Sequence, residues 1–446
     1  MQTVMKAIVA RAALVLGFVL PGSGAGPALR AADHDVAPLA ATARRAGMRV
    51  LEGRHVVVAT DRPARDGDGI DDLPRLFDEA FTAWCDHFRI DPADHGQWRC
   101  FGCLIVDKER FRAAGLLPDT VPDFRHGFCD RNRFWLMDQS NPAYRRHLFL
   151  HEGVHAFTIC MRDLDAPPWY AEGIAELLAT HRLEKADDGP PRLVVTPMPQ
   201  AAEDVEQLGR IEELRRLRIA GRAPSLDDVF AIRGSVHGDL AAYASSWAAV
   251  AMLSLHPRHA ARFAAAEQGP LDGRFTDRLA ASPGWDPRIA SRDFDAFTDD
   301  VDYGYDVSRS AIDWSRGTPL VGGTTIAVAA DRGWQNSGLA VERGGRVTFR
   351  GTGRVTVGTV AGRVLESEPE GISIDWYRGR PLGRLIIAQW VEPEDGTRPR
   401  FVALAEAAAG EFTAAADGPL FLRINEAPGS LADNGGEFRV AFEPAP

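Results

Sequence analysis

The stretch from Asn141 to His181, NPAYRRHLFLHEGVHAFTICMRDLDAPPWYAEGIAELLATH, constrains this chain more than any other. It contains His151-Glu152-Gly153-Val154-His155, an H-E-x-x-H pattern, and then Trp169-Tyr170-Ala171-Glu172-Gly173-Ile174-Ala175-Glu176. Asn141 is a good helix N-cap, and Pro142 gives up an amide that would be unpaired at the first helical position anyway. Leu148, Phe149, Val154, Phe157 and Ile159 follow at roughly helical spacing. Residues four apart share a helix face, so His151 and His155 bring two imidazoles to one spot. Glu152 stands one step round, near enough to take a proton there without being a ligand itself. The prolines of Asp165-Ala166-Pro167-Pro168 cannot continue the helix. A second helix then carries Glu172 and Glu176, again four apart.

Two imidazoles with a carboxylate beside them are the donor set of a hydrolytic zinc site, which takes three protein ligands and leaves a fourth position open. Sixteen residues separate His155 from Glu172, enough for one helix to end and a second to return alongside. Glu172 is therefore the candidate third ligand, and Glu176 is expected to orient a ligand from behind. His147, four residues before His151, reads as a packed neighbour. A closed, purely structural site would need a fourth protein ligand, for which His147 and Cys160 are the candidates.

HEGVH followed by W-Y-x-E-G-x-A-E resembles the gluzincin, or peptidase MA-like, metallopeptidases, whose third ligand is the Glu of the E-G-x-A element. The resemblance implies an α+β zincin-like metallopeptidase domain, ligand roles for His151, His155 and Glu172, and a general-base role for Glu152. It also implies a sheet edge beside the histidine helix that holds a substrate backbone extended. Tyr243–Leu255 (YASSWAAVAMLSL) is almost wholly apolar and so predicts a buried helix. It resembles the Y-A-x-S-W-A-L-V helix of secreted families of this kind. Tyr243 is then a candidate donor to a developing oxyanion, with a satisfied core tyrosine as the alternative reading. His237 is a weaker candidate for the same task.

Around this centre the pattern predicts strands at Arg54–Thr60, Phe101–Val106 and Arg133–Met137, and a helix over Ile70–Phe88 with Leu73, Phe77, Phe81, Trp84 and Phe88 on one face. Downstream come a short strand at Leu193–Thr196, a helix over Val205–Ile219 and a helix cap at Ser225-Leu226-Asp227-Asp228. The acidic, aromatic run Asp293–Trp314 is expected to close this domain or to bind an ion.

Lys6 and Arg11 flank a short apolar run, Ala12–Leu20, and small residues follow. Residues 1–31 therefore read as a secretory signal peptide, and the rest of the chain as exported, periplasmic or extracellular, with no integral membrane segment once the signal is removed. A net charge of −11 argues against nucleic acid or an anionic membrane as partner. Five cysteines, Cys85, Cys100, Cys103, Cys129 and Cys160, suit export, with four able to pair and one left over; Cys160 is placed to staple the histidine helix to a neighbour. The Cys100–Cys103 C-x-x-C spacing lacks the second pair of a zinc knuckle.

The composition changes near Arg316. Residues 32–315 read as the first domain, and 316–446 as an independent all-β sandwich with period-two runs at Arg346–Arg350, Arg354–Gly358, Leu420–Ile424 and Phe438–Phe442. Gly333-Trp334-Gln335-Asn336-Ser337-Gly338, Glu342-Arg343-Gly344-Gly345, Pro381–Ile386 and Ile424–Gly436 resemble the PA-IL-like bacterial lectins, calcium-dependent galactose-binding sandwiches. By position the lectin calcium loop falls on Glu426, Asp433, Asn434 and the carbonyl of Ser430, oxygen ligands of the kind calcium takes. Glu stands where the lectins use Asp, and their sugar-contacting loop has no match between Glu366 and Arg380.

The expected function is a secreted zinc metallopeptidase acting on a protein or peptide, with Ca2+ in a tail that brings it to glycan or cell-envelope material. The rival is a non-catalytic carbohydrate-binding or adhesion protein on a peptidase-like scaffold. Glu152 discriminates, because a structural metal site has no need of that carboxylate.

Overall fold

The structure, a computed structural model, describes residues 35–445 apart from 66, 188, 206–208, 235, 237, 361 and 395–396. The signal-like segment 1–31 and His237 lie outside the described residues.

The N-terminal part is built on a five-stranded sheet in the order β1-β2-β3-β5-β4, with β1 at Arg49–Glu52, β2 at Val56–Thr60, β3 at Cys100–Ile105, β4 at Gly127–Asp130 and β5 at Arg133–Met137. β2 is buried along its whole length because both faces of the sheet are covered. Val56 and Val58 face helix α2 (Leu73–Phe88) and its neighbours, while Val57 and Ala59 face the smaller cluster under α1 (Ala37–Arg45). The alanine-rich stretch before Met48 carries no obvious period, yet α1 forms there and covers that second face.

β2, β3 and β5 run parallel, whereas β4 pairs antiparallel with β5 through Gly127↔Leu136 to Asp130↔Arg133 and forms the sheet's edge. The β4–β5 turn places Arg131 at φ 54, the left-handed region. β5 lies where the alternation put it; β4 has only four residues, too few to show a period, and was not anticipated.

The histidine helix is α3, Pro142–Arg162. The Asn141 side chain accepts a hydrogen bond from the Tyr144 amide at 2.9 Å. Asp163, in the left-handed conformation, ends the helix two residues before the segment that the prolines close. Helix α4, Pro168–Ala179, carries Glu172 and Glu176 and leads into a hairpin of β6 (His181–Glu184) and β7 (Arg192–Val195). Then come α5 (Arg210–Ile219), a short helix Leu226–Phe230 capped reciprocally by Ser225 and Asp228, the buried helix α6 (Leu240–Leu255), and α7 (Pro287–Asp300).

Two glycines of the motif are spacing devices. A Cβ on Gly153 would lie 2.5 Å from the Phe77 ring, and one on Gly173 would lie 2.5 Å from both the Ser246 carbonyl oxygen and Val250. α2 can therefore close on α3, and α6 on α4, only because these positions lack side chains.

From Thr318 the chain is β-rich. One sheet orders Arg400–Ala405, Leu385–Val391, Gly418–Ile424, Gln335–Val341 and Thr318–Pro319; the other centres on Gly435–Pro444 between Val355–Val360 and Arg346–Thr352. Val347, Phe349, Phe438, Val440 and Phe442 from the second sheet meet Leu385, Ile387, Leu420 and Leu422 from the first in one apolar cluster. Apart from Arg354, the period-two runs at these positions lie in strands.

One expectation is corrected. None of the five cysteines forms a disulfide, so none of the expected pairs is made and Cys160 does not staple its helix through one. Cys100 packs in the α2 cluster and Cys103 in the α1 cluster, because residues three apart on a strand point to opposite faces; the C-x-x-C pair cannot converge. The acidic run Asp293–Trp314 holds arginines. Asp293 accepts from Arg258, at 2.5 Å, and from the Trp314 indole at 2.7 Å. Asp300 accepts from Arg378 and Arg423, and Asp295 from Arg398, all three arginines belonging to the β-rich part. No helix among the described residues is long and apolar enough to cross a membrane.

Candidate metal centre

α3 and α4 together bring three donor atoms into a near-equilateral triangle. His151 Nε2 and His155 Nε2 are 3.2 Å apart, and Glu172 Oε2 stands 3.3 Å from the first and 3.4 Å from the second. The Glu172 oxygen is buried and faces both imidazoles. Burial would raise this carboxyl, but His155 and His151 beside it hold it well below the usual range. The three donor atoms converge closely enough to share one ion. Tetrahedral zinc with bonds of roughly 2.0–2.1 Å has ligand–ligand edges of roughly 3.3–3.4 Å. The donor set and its spacing can hold a metal ion.

Behind the triangle lies a buried support that motif reading saw only in part. Glu176 Oε1 faces His151 Nδ1 at 3.2 Å, as an orienting carboxylate should. His147 Nε2 lies 3.3 Å from Glu176 Oε2, so His147 is packed against the supporting carboxylate, and with His151 and Glu176 it forms a second donor group beside the triangle. Arg210, the first residue of α5, grips Glu176 with both arms of its guanidinium, at 2.9 and 2.6 Å. Burial alone would raise Glu176; Arg210 and His147 keep it well below the carboxylate range. No local pattern marks Arg210, which lies 34 residues from its partner.

Glu152 is buried but does not join the triangle. Burial lifts its carboxyl to about 7, against the pull of His151 and His155. A carboxyl poised there can take and return a proton near neutral pH. Its other wall is the edge strand: a Cβ on Gly127 would fall inside contact distance of the Glu152 carboxylate. Gly127 thus lets β4 run directly against the carboxylate.

Tyr243, on α6, packs over the site with its ring 6.0 Å from that of His151 and 5.2 Å below the Arg210 guanidinium. Burial, and then the Glu172 and Glu152 carboxylates, push its hydroxyl far above the usual value, so it stays a donor.

His256, His259 and Asp293 also cluster. There, however, Asp293 already accepts from Arg258, Trp314 and, at 2.8 Å, the His259 ring. A cation would have to displace a guanidinium, and the cluster is a structural tie.

In the β-rich part, Glu426 is buried with Oε1 accepting from the Ala427 amide at 3.1 Å and Oε2 unpartnered. Burial, then Asp433 and Asp375, raise its carboxyl to about 7. Asn434 donates to the Ala330 carbonyl at 3.2 Å and leaves its own buried Oδ1 unpartnered. Ser430 closes the intervening turn by donating its amide to the Ala427 carbonyl at 2.9 Å, and Asp433 is exposed.

No family model and no curated protein matches the chain. Among solved structures, one described as the EclA N-terminal domain, a PllA-like lectin, is similar at 20% identity over 28% of this chain and 98% of that one, with a TM-score of 0.21.

Proposed function

We propose that this chain is an exported zinc-dependent hydrolase of peptide bonds, with His151, His155 and Glu172 as ligands and Glu152 as general base. The observation that carries the reading is the three-donor triangle of His151, His155 and Glu172 beside a carboxylate that belongs to no ligand set. A structural site has no use for that carboxylate. Bound there, zinc supplies Lewis acidity toward a carbonyl and makes water a better nucleophile near neutral pH.

The chain's own residues supply the rest. Glu152, whose carboxyl burial raises toward neutrality, accepts in its ionised form the proton of the attacking water and returns it to the leaving amine. Tyr243 keeps its proton and donates a hydrogen bond to the oxygen that gains charge. Glu176, itself clamped by Arg210, holds the His151 ring in orientation. The free edge of β4 offers backbone groups to an extended substrate lying next to Glu152.

Glu152→Gln is the test. The variant should keep its metal and lose hydrolysis of a broad peptide library by about 10²- to 10⁴-fold. Unchanged hydrolysis would remove the base assignment, and absence of hydrolysis in the unaltered metal-loaded protein would favour the binding-protein reading.

A second reading attaches to the tail. The unpartnered oxygens of Glu426 and Asn434, with Asp433 close by, suit a hard cation such as calcium, and so a tail that docks the enzyme on glycan surfaces. Calcium addition should raise the melting temperature of the intact protein, and Glu426→Gln should abolish the rise.

A further inference from the structure

Between α5, α7 and the β-rich part lies a cavity of about 950 Å³, at the upper end of the roughly 300–1,000 Å³ that ligand sites occupy. Six arginines and four aspartates line it, a local cationic excess in a chain whose net charge is −11. Two of the aspartates are already engaged: Asp300 with Arg378 and Arg423, and Asp295 with Arg398.

What remains is a set of donors without acceptors. Arg423 is 5% exposed, and its Nε–H has no partner. The Nε of Arg380, an Nη of Arg398 and the Tyr377 hydroxyl are likewise buried and unpartnered. Leaving such donors unmatched is unfavourable, and planar guanidinium groups match carboxylates best. The Arg423 guanidinium is held in place by the Trp334 ring, 5.3 Å away, which itself stacks on Phe401 at 4.4 Å. The Asp299 carboxylate, also in the wall, accepts no side-chain hydrogen bond from a described residue. Unmatched guanidinium N–H groups for a carboxylate and a free carboxylate for hydroxyls form one recognition set.

We infer that this cavity binds an acidic saccharide, a short oligosaccharide bearing hexuronate carboxylates. The inference is independent of the zinc centre and stands or falls without it. α5 nevertheless joins the two places, with Arg210 at the Glu176 end and Arg218 in the cavity wall.

The test is calorimetric titration of the full chain with hexuronic acid di- and trisaccharides, beside neutral saccharides of the same linkage and an acidic tripeptide. Saturable binding of the hexuronates, weakened by salt and at least about tenfold weaker for the neutral analogues, is expected. Arg423→Lys removes the unpartnered Nε–H but also disturbs the Asp300 pair, so its melting temperature is measured alongside. Arg400→Gln and Asp299→Asn line the cavity and give up no side-chain hydrogen bond between the two parts of the chain. Each should weaken binding about three- to tenfold with melting unchanged. No saturable binding at millimolar hexuronate, equal binding of the neutral sugars, binding of the peptide alone, or full affinity in both of these variants would each overturn the inference.

Discussion

Gly127 shows how much of the site depends on what is missing. Its hydrogen faces the Glu152 carboxylate across a gap that no methyl group fits. Gly127→Ala should therefore leave the three metal donors in place, push Glu152 off its position, and reduce hydrolysis by at least about 10²-fold with metal content unchanged. Kinetics and metal analysis on one preparation check this; wild-type turnover in the variant would mean that β4 does not set the position of the base. The two histidine donors were legible because helical spacing alone puts His151 and His155 on one face and Glu152 beside it. Gly127 and Arg210 were not, since each acts on a partner brought close only by tertiary packing. His147 illustrates the limit of spacing: it shares the periodicity of the ligands, yet it packs against Glu176 and is no member of the triangle.

At the level of elements, the close approach of α4 and α6 rests on Gly173. Gly173→Ala should lower unfolding stability by about 1–3 kcal/mol, read from denaturant titration, because a methyl group meets the Ser246 carbonyl oxygen and Val250. The tie between α6 and α7 should carry a pH signature. Burial depresses His256 to about 4 from 6.5, although Asp293 acts in the opposite sense. Between those values the unfolded chain binds the proton and the folded chain does not. Stability thus rises with pH across that window and is lost on acidification through it, by about 3 kcal/mol for the full shift. His256→Gln should flatten this part of a denaturation profile measured from pH 4.5 to 7. Strong periods made α2, α3, α6 and the long tail strands readable. α1 and β4 were not readable, the first because alanine marks no face and the second because four residues show no alternation. The cysteines misled for a related reason: composition suggests pairing, but the strand places Cys100 and Cys103 back to back.

Across the whole molecule, the acidic run after Arg292 latches the helical part to the β-rich part. Asp300 is buried and faces two arginines, so Asp300→Asn leaves Arg378 and Arg423 with less than their full counter-charge. A loss of about 3–5 kcal/mol is expected, with a calorimetric endotherm that splits into two as the parts unfold separately. A single, unshifted endotherm would show that the latch adds nothing to cohesion. The run's composition announced charge and aromatic rings, but not that its partners lie about a hundred residues onward in the β-rich part.

The central claim is that α3 and α4 exist to hold one catalytic metal ion with an open face. Zinc content of the purified full-length protein, by mass spectrometry beside Glu172→Ala, tests it most directly. About one zinc per chain in the unaltered protein, lost or weakened by about 10- to 100-fold or more in the variant, is the predicted result. Zinc held as tightly without Glu172, or none bound under metal-replete conditions, would contradict it.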